Sequence, residues 1–165
     1  MIKWLRKSTS GMVVVTILRL YLGIEWTLDG FEKLTKGFDA SGFIMGALKN
    51  PVMNSTGHPA YPWFTSFLKS AVKPHIGVFN FIVPWGELLV GLGILFGTLT
   101  LTAAFFGVIM NLCYLFAGTV SVNPLYLILE FIILAAGLNA SKIGLDRWII
   151  PWMRSKWPWL KRSVL

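Results

Sequence analysis

Residues 76–97 read IGVFNFIVPWGELLVGLGILFG, an apolar stretch that contains one ionisable side chain, the carboxyl group of Glu87. As an α-helix this stretch extends about 33 Å, which is enough to cross the hydrocarbon core of a bilayer. An ionisable side chain at the middle of a membrane helix costs at least about 2.5 kcal/mol. The stretch therefore predicts a membrane-spanning helix whose carboxyl group is buried against other helices.

Three more apolar stretches flank this one, and each also carries a polar residue near its middle. These residues are Arg19 and Glu25 in the first stretch, Asn111 in the third and Glu130 in the fourth. The four predicted spans are 12–32, 76–97, 99–118 and 124–140. We therefore predict an all-α fold, an integral membrane four-helix bundle in which residues 1–165 form a single transmembrane domain.

The composition agrees with a membrane protein. Hydrophobic residues make up 55% of the chain and charged residues 13%, far from the balance of soluble proteins. The net charge is +8, but the basic residues lie beside the apolar spans, where cations contact anionic lipid head groups. We therefore expect membrane lipids and no nucleic acid as partners, and we leave open whether the chain forms a homo-oligomer.

The distribution of cations predicts the topology. Nine lysines and arginines precede the first span or follow the fourth, against five between the first two spans. Because cytoplasmic loops are richer in lysine and arginine, we expect a multi-pass membrane protein with both termini in the cytoplasm. Residues 36–75 then form a long outer loop, and residues 141–165 form a cytoplasmic amphipathic tail.

The outer loop contains two apolar pieces that predict short interfacial helices. Asp39 is placed to cap one helix through Leu48, and Tyr61–Val72 carries apolar residues at helical spacing. Such a loop acts either as a passive cap on the bundle or as a lid or docking surface for a partner.

In each span the polar residue shares a helical stripe with small or aromatic residues. Glu87 aligns with Pro84 and Gly91, and Arg19 aligns with Trp26 and Lys33. Small residues allow helices to approach closely, and polar side chains hydrogen-bond across such seams. The stripes are therefore expected to face the interior of the bundle.

Two interpretations of this polar interior remain. In the structural one, Arg19 pairs with Glu87 or Glu130 and the other polar groups satisfy the remaining hydrogen bonds. In the functional one, the residues line a cavity that binds a polar head group or moves protons. The functional interpretation is favoured because one arginine cannot neutralise Glu25, Glu87 and Glu130 together. The candidate catalytic residues are Glu87, Glu130 and Arg19. The candidate substrate-binding residues are Glu25, Asp29, Lys33, Asn80, Asn111, Tyr114 and Tyr126.

Other site chemistries lack a sequence signal. Cys113 is the single cysteine, which excludes a CxxC redox pair within the chain. His58 and His75 are too few and too isolated to predict a metal or haem site. We therefore predict no metal and no bound cofactor.

Three motifs resemble the DoxX/DoxD membrane proteins in order and spacing. They read LRLYLG with GFEKL at 18–23 and 30–34, WGELLVGLGILFG at 85–97, and GLDRW at 144–148. The resemblance covers most of the chain apart from the outer loop. The matching positions are Arg19, Gly30, Lys33, Glu87, Gly91 and Asp146. The resemblance implies a four-helix membrane protein and, through the DoxD branch, a subunit of a thiosulfate:quinone oxidoreductase.

We therefore expect a membrane subunit of a quinone-linked oxidoreductase in a bacterial-type plasma membrane, with quinone as co-substrate and a partner oxidoreductase subunit. Glu87 or Glu130 would exchange protons with the quinone, and Arg19 would orient its head group. A sulfur oxyanion such as thiosulfate would be oxidised at the outer face, attracted by lysines 33, 36, 69 and 73. The alternatives are a non-enzymatic membrane scaffold or assembly partner, and a small-solute or proton-coupled transporter.

Overall fold

The computed structural model describes residues 2–157, which form a chain of helices without a β-strand. The helices are α1 Ile2–Lys7, α2 Thr9–Lys36, α3 Ser41–Lys49, α4 Pro62–Phe67, α5 Ile76–Phe96, α6 Thr100–Phe116, α7 Asn123–Ala136 and α8 Asp146–Lys156. A π-helical turn at Leu68–Val72 and a 3₁₀ turn at Lys73–His75 join α4 to α5, and a second 3₁₀ turn follows α7 at Gly137–Ser141.

The four expected spans correspond to α2, α5, α6 and α7. Three helical runs are long and apolar enough to cross a membrane, namely Thr9–Lys36, Pro62–Phe96 and Asn123–Ser141. The remaining span, α6, has 17 apolar-rich residues, at the lower limit for crossing. The all-α membrane bundle is therefore confirmed. One boundary differs from the expectation, because the second piece of the outer loop continues into α5 as a single 35-residue helical run.

Close packing of α2 against α5 depends on glycines in the predicted stripes. A Cβ atom at Gly30 would collide with the backbone of Leu88, and one at Gly91 would collide with the backbone of Thr27. Arg19, Gly23, Trp26 and Gly30 are all buried, as their shared stripe predicted. The absence of side chains at these glycines brings α2 close enough to α5 for polar side chains to pair between them.

The α2–α5 seam gives a first testable prediction. Gly91→Ala is expected to lower the free energy of unfolding by about 1–3 kcal/mol, because the added methyl group overpacks the seam against Thr27. Gly77→Ala is the matched control, since Gly77 lies in the same helix with open space around it. Denaturant unfolding of the detergent-solubilised protein measures both. An equal loss of stability in the two variants would contradict the close approach of the helices.

The outer loop folds into a cap on one end of the bundle. Apolar side chains of α3, such as Ile44, pack with Phe64, Leu68 and Val72 in a second hydrophobic cluster. Asp39 accepts hydrogen bonds from the backbone N–H and the hydroxyl group of Ser41, at 3.0 and 2.7 Å. The N-cap position of α3 is nevertheless Ala40, one residue later than expected, and no side chain caps the helix there. The predicted loop helices are therefore present, and they cover the end at which α2 finishes and α5 begins.

The opposite end is held by the GLDRW segment. Both carboxylate oxygens of Asp146 accept hydrogen bonds from the start of α6: Leu99 N at 2.6 Å, Thr100 N at 2.9 Å and Thr100 Oγ1 at 2.8 Å. Leu99 has a positive φ of 49°, so this turn needs such support. The amphipathic α8 follows, and the remainder of the expected tail, residues 158–165, lies outside the described residues.

Candidate functional site

Glu87 lies at the centre of a charged cluster between α2, α5 and α6. Its side chain is only 2% exposed, and Lys33 Nζ contacts Oε1 and Oε2 at 2.5 and 2.6 Å. The hydroxyl group of Tyr114 donates a third hydrogen bond to Oε1 at 2.6 Å. Gly30 permits this arrangement, since it lies one turn before Lys33 and directly against the backbone at Glu87 and Leu88. The buried carboxylate is therefore satisfied by one cation and one phenol.

Glu130 occupies a second, fully buried position between α2, α6 and α7. Asn111 Nδ2 donates to its two carboxylate oxygens at 3.0 and 2.9 Å, and Trp26 Nε1 donates to Oε1 at 3.1 Å. A Cβ atom at Gly107 would collide with this carboxyl group, so the glycine makes room for it. Among residues 2–157, ion pairs form at Lys33–Glu87 and Lys36–Glu32, so no cation there neutralises Glu130.

Arg19 lies far from both acids. It precedes Lys33 by 14 residues on α2, which is about 21 Å along the helix axis, and its Nη2 donates to the carbonyl oxygen of Ile143. The interpretation that Arg19 pairs with Glu87 or Glu130 is therefore wrong, because Lys33 neutralises Glu87 and neutral donors hold Glu130. The helical stripes predicted correctly that Arg19, Glu87 and Glu130 are buried. A stripe gives the angular position of a residue around its helix, but not which residues of two helices lie at the same level along the bundle.

A cavity of about 1060 Å³ follows the seam between α5 and α6 and contacts the cap. Its wall is apolar over most of its length and includes Ile82, Leu89 and Phe106, which are exposed on the outside of the bundle. The cavity therefore opens sideways, toward the surface that lipid covers in a membrane. Its polar lining residues include Lys33, Glu87 and Tyr114, so the charged cluster lies on its wall.

The structure divides the ten candidate residues into four groups. The cavity is lined by Glu87, Asp29, Lys33, Tyr114 and Tyr126. Glu130 and Asn111 lie behind its wall, to which Trp26 connects them. Glu25 accepts a hydrogen bond from Tyr126, and Asn80 holds the cap through Ala40 N. Arg19 lies at the other end of the bundle.

Trp26 is a site residue that was absent from the candidates. It lines the cavity and donates to Glu130, so it separates the buried carboxyl group from the open space. Its position on the stripe of Arg19 and Lys33 was the available signal. Tryptophan usually signals packing or an interface, so the stripe alone did not distinguish this role.

Metal ligation has no structural support in the part of the chain that the structure describes. Within residues 2–157, no three histidine, cysteine, aspartate or glutamate side chains come close enough to hold a metal ion. Cys113 lies on the cavity wall as a free thiol. Besides this thiol, the ionisable groups on the cavity wall are one ammonium group, two phenols and two carboxyl groups.

The comparisons with known proteins agree with this architecture. The sequence profile of the DoxX family matches residues 14–120, which contain α2 from Val14 onward, the cap, α5, α6 and therefore the Lys33–Glu87–Tyr114 cluster. No curated protein and no solved structure shows significant similarity to the chain. Because the match extends over more than half of the 165 residues, the chain belongs to the DoxX family.

Proposed function

We propose that the chain binds a quinone and acts as the membrane subunit of a quinone-linked oxidoreductase. The observation that carries this proposal is the shape and chemistry of the cavity, which is a lateral apolar groove with Lys33, Glu87 and Tyr114 on its wall. A membrane quinone is likewise apolar over most of its length and polar at one end, with an apolar tail and a head group whose two carbonyl oxygens accept hydrogen bonds. The tail would lie between α5 and α6, with the head group at the charged cluster.

The cluster offers suitable groups for quinone chemistry. Reduction of a quinone to a quinol takes up two electrons and two protons. Lys33 and Tyr114 are hydrogen-bond donors that now converge on Glu87, and each would donate to a quinone oxygen on binding. As a carboxylate, Glu87 would accept a proton from solvent beside the partly exposed Lys33 and pass it to the donor that has lost one, and two such transfers would supply the two protons of the quinol.

The electrons would come from a partner oxidoreductase subunit that oxidises a small sulfur oxyanion such as thiosulfate, as in the DoxD branch. In the expected orientation in a plasma membrane, the cap and the charged cluster face outward. Of the four lysines expected to attract the anion, Lys33 and Lys36 are held in ion pairs, which leaves the exposed Lys69 and Lys73. Lys49 is a further exposed cation of the cap. We assign Lys69 and Lys73 to the attraction of the sulfur oxyanion that donates the electrons.

Filling the groove tests quinone binding directly. Thr102→Trp should reduce the quinone that co-purifies with the detergent-solubilised protein by at least about tenfold, because the indole occupies the space of the tail. Phe105→Trp is the control, since Phe105 is exposed on the same helix and does not line the cavity. Extraction and mass spectrometry quantify the retained quinone.

Two outcomes of this experiment would count against the proposal. The native protein could carry no quinone and take up none when it is added, or Thr102→Trp could retain as much quinone as Phe105→Trp. Either result would favour a scaffold whose polar groups only hold the bundle. Far-ultraviolet circular dichroism of both variants shows that the helices are intact.

A further inference from the structure

Arg19 is buried at the end of the bundle opposite to Glu87, and part of its hydrogen-bonding capacity is unused. The side chain is 2% exposed, and Nη2 donates to Ile143 O, whereas Nε and Nη1 have no partner within residues 2–157. Leaving donors of a buried charged group unpaired is costly. The two unpaired nitrogen atoms have almost no exposed surface, so an anion beside the guanidinium group would compensate its charge directly and would accept hydrogen bonds from these donors after a shift of the side chain.

Asp146 does not supply them. Its two oxygens accept hydrogen bonds from Leu99 and Thr100 at the start of α6. The ion pairs found in residues 2–157 are Lys33–Glu87 and Lys36–Glu32, so Arg19 and Asp146 are farther apart than an ion pair requires. The positive charge of Arg19 therefore has no direct counter-charge in the described part of the chain.

A pocket adjoins this guanidinium group and contains two further cations. It has a volume of about 390 Å³, and Arg19, Lys142, Arg147 and Trp148 are among its lining residues, none of which is acidic. Lys142 and Arg147 are exposed, and the Arg147 guanidinium group stacks 4.8 Å from the centre of the Trp148 ring. Three cationic side chains thus meet at one concave surface, with an interfacial aromatic residue at its edge.

We propose that this pocket binds a phosphate group, carried by an anionic phospholipid or free in solution. Arginine presents a planar set of donors that matches phosphate oxygens, and lysine adds a mobile point charge. The apolar side chains of Leu95 and Phe96 form the rest of the wall, which suits the glycerol and first acyl carbons of a lipid. The cation count places this end at the cytoplasmic leaflet, where anionic lipids are common. The pocket shares the wall residue Phe96 with the quinone groove, but its cationic residues do not line that groove, and the proposal does not depend on quinone binding.

Lipid titration of delipidated protein in a neutral detergent tests the proposal. The probes are phosphatidylglycerol, phosphatidylcholine and inorganic phosphate, and native mass spectrometry counts the bound molecules. The double variant Lys142→Gln/Arg147→Gln is expected to bind phosphatidylglycerol about 25-fold more weakly, since each cation near an anionic head group changes affinity about fivefold. The control Arg154→Gln/Lys156→Gln also removes one arginine and one lysine, from exposed positions of α8 that do not line the pocket, and should bind like the native protein.

The three probes distinguish a site for a lipid head group from a site for free phosphate. Binding of phosphatidylglycerol that inorganic phosphate does not displace identifies a lipid site, whereas displacement identifies a site for phosphate itself. Equal binding of phosphatidylglycerol and phosphatidylcholine would overturn the proposal, as would equal weakening in the two double variants. Arg19→Lys keeps the charge and loses the planar donor set, so unchanged binding by a folded Arg19→Lys protein would also overturn it.

Discussion

Glu87→Gln is expected to lower donor-dependent quinone reduction by about 10²–10⁴-fold while the protein stays folded. Glutamine keeps the shape of glutamate, and its oxygen can still accept hydrogen bonds from Lys33 and Tyr114. It cannot exchange a proton. Lys33 is partly exposed, so water can solvate its ammonium group when the counter-charge is lost. The variant therefore separates a role in proton transfer from a role in holding the bundle together.

The matched control is Glu32→Gln. Glu32 also pairs with a lysine, Lys36, at 2.8 Å, but this pair is exposed and lies outside the cavity. Exposed pairs contribute about 0–1 kcal/mol, so the control should change neither activity nor stability noticeably. The assay measures reduction of a quinone analogue by membranes that contain the protein and its partner subunits, with thiosulfate as donor. Full activity in Glu87→Gln would show that the residue is structural.

Helical stripes predicted the interior of the bundle because burial follows the angular position of a residue on its helix. Pro84, Glu87, Gly91 and Ile94 share one stripe of α5, and all four are buried. The stripe could not predict the partner of Glu87, because pairing also depends on how far one helix is shifted along the other. That shift places Lys33, near the end of α2, at the level of Glu87.

The sequence pattern also could not predict where the groove between α5 and α6 lies. A tight turn at Gly97 and Leu99 joins α5 to α6. How closely two neighbours pack depends on side-chain shape along the whole seam. α5 packs tightly on α2 through glycines, whereas its seam with α6 leaves the cavity open.

The family motifs contain residues that hold the fold together and residues that line a site, and the motifs alone do not distinguish the two. In GLDRW, Asp146 holds the start of α6, whereas Arg147 lines the pocket beside Arg19. In the first motif, Lys33 reaches the Glu87 site, whereas Gly30 only permits close packing. Residues with structural and chemical roles alternate within a few positions, so the role of each follows from its contacts in the folded chain and not from its place in the motif.

Glu130 gives the second large expected effect, this time on stability. Glu130→Leu should lower the free energy of unfolding by about 3–5 kcal/mol, because it leaves the N–H donors of Asn111 and Trp26 buried without an acceptor. Glu130→Gln is expected to be as stable as the native protein. Asn111 Oδ1 has no partner at present within the described residues, and after rotation of the Asn111 amide it can accept from the new Gln side chain.

Denaturant unfolding in detergent and the quinone assay together distinguish the two roles of this residue. A stable Glu130→Gln variant with reduced activity would show that the buried carboxyl group supplies protons through the wall at Trp26. A stable variant with full activity would restrict proton handling to Glu87. If Glu130→Leu were as stable as Glu130→Gln, the hydrogen bonds from Asn111 and Trp26 would not hold α6 and α2 against α7, because leucine offers them no acceptor.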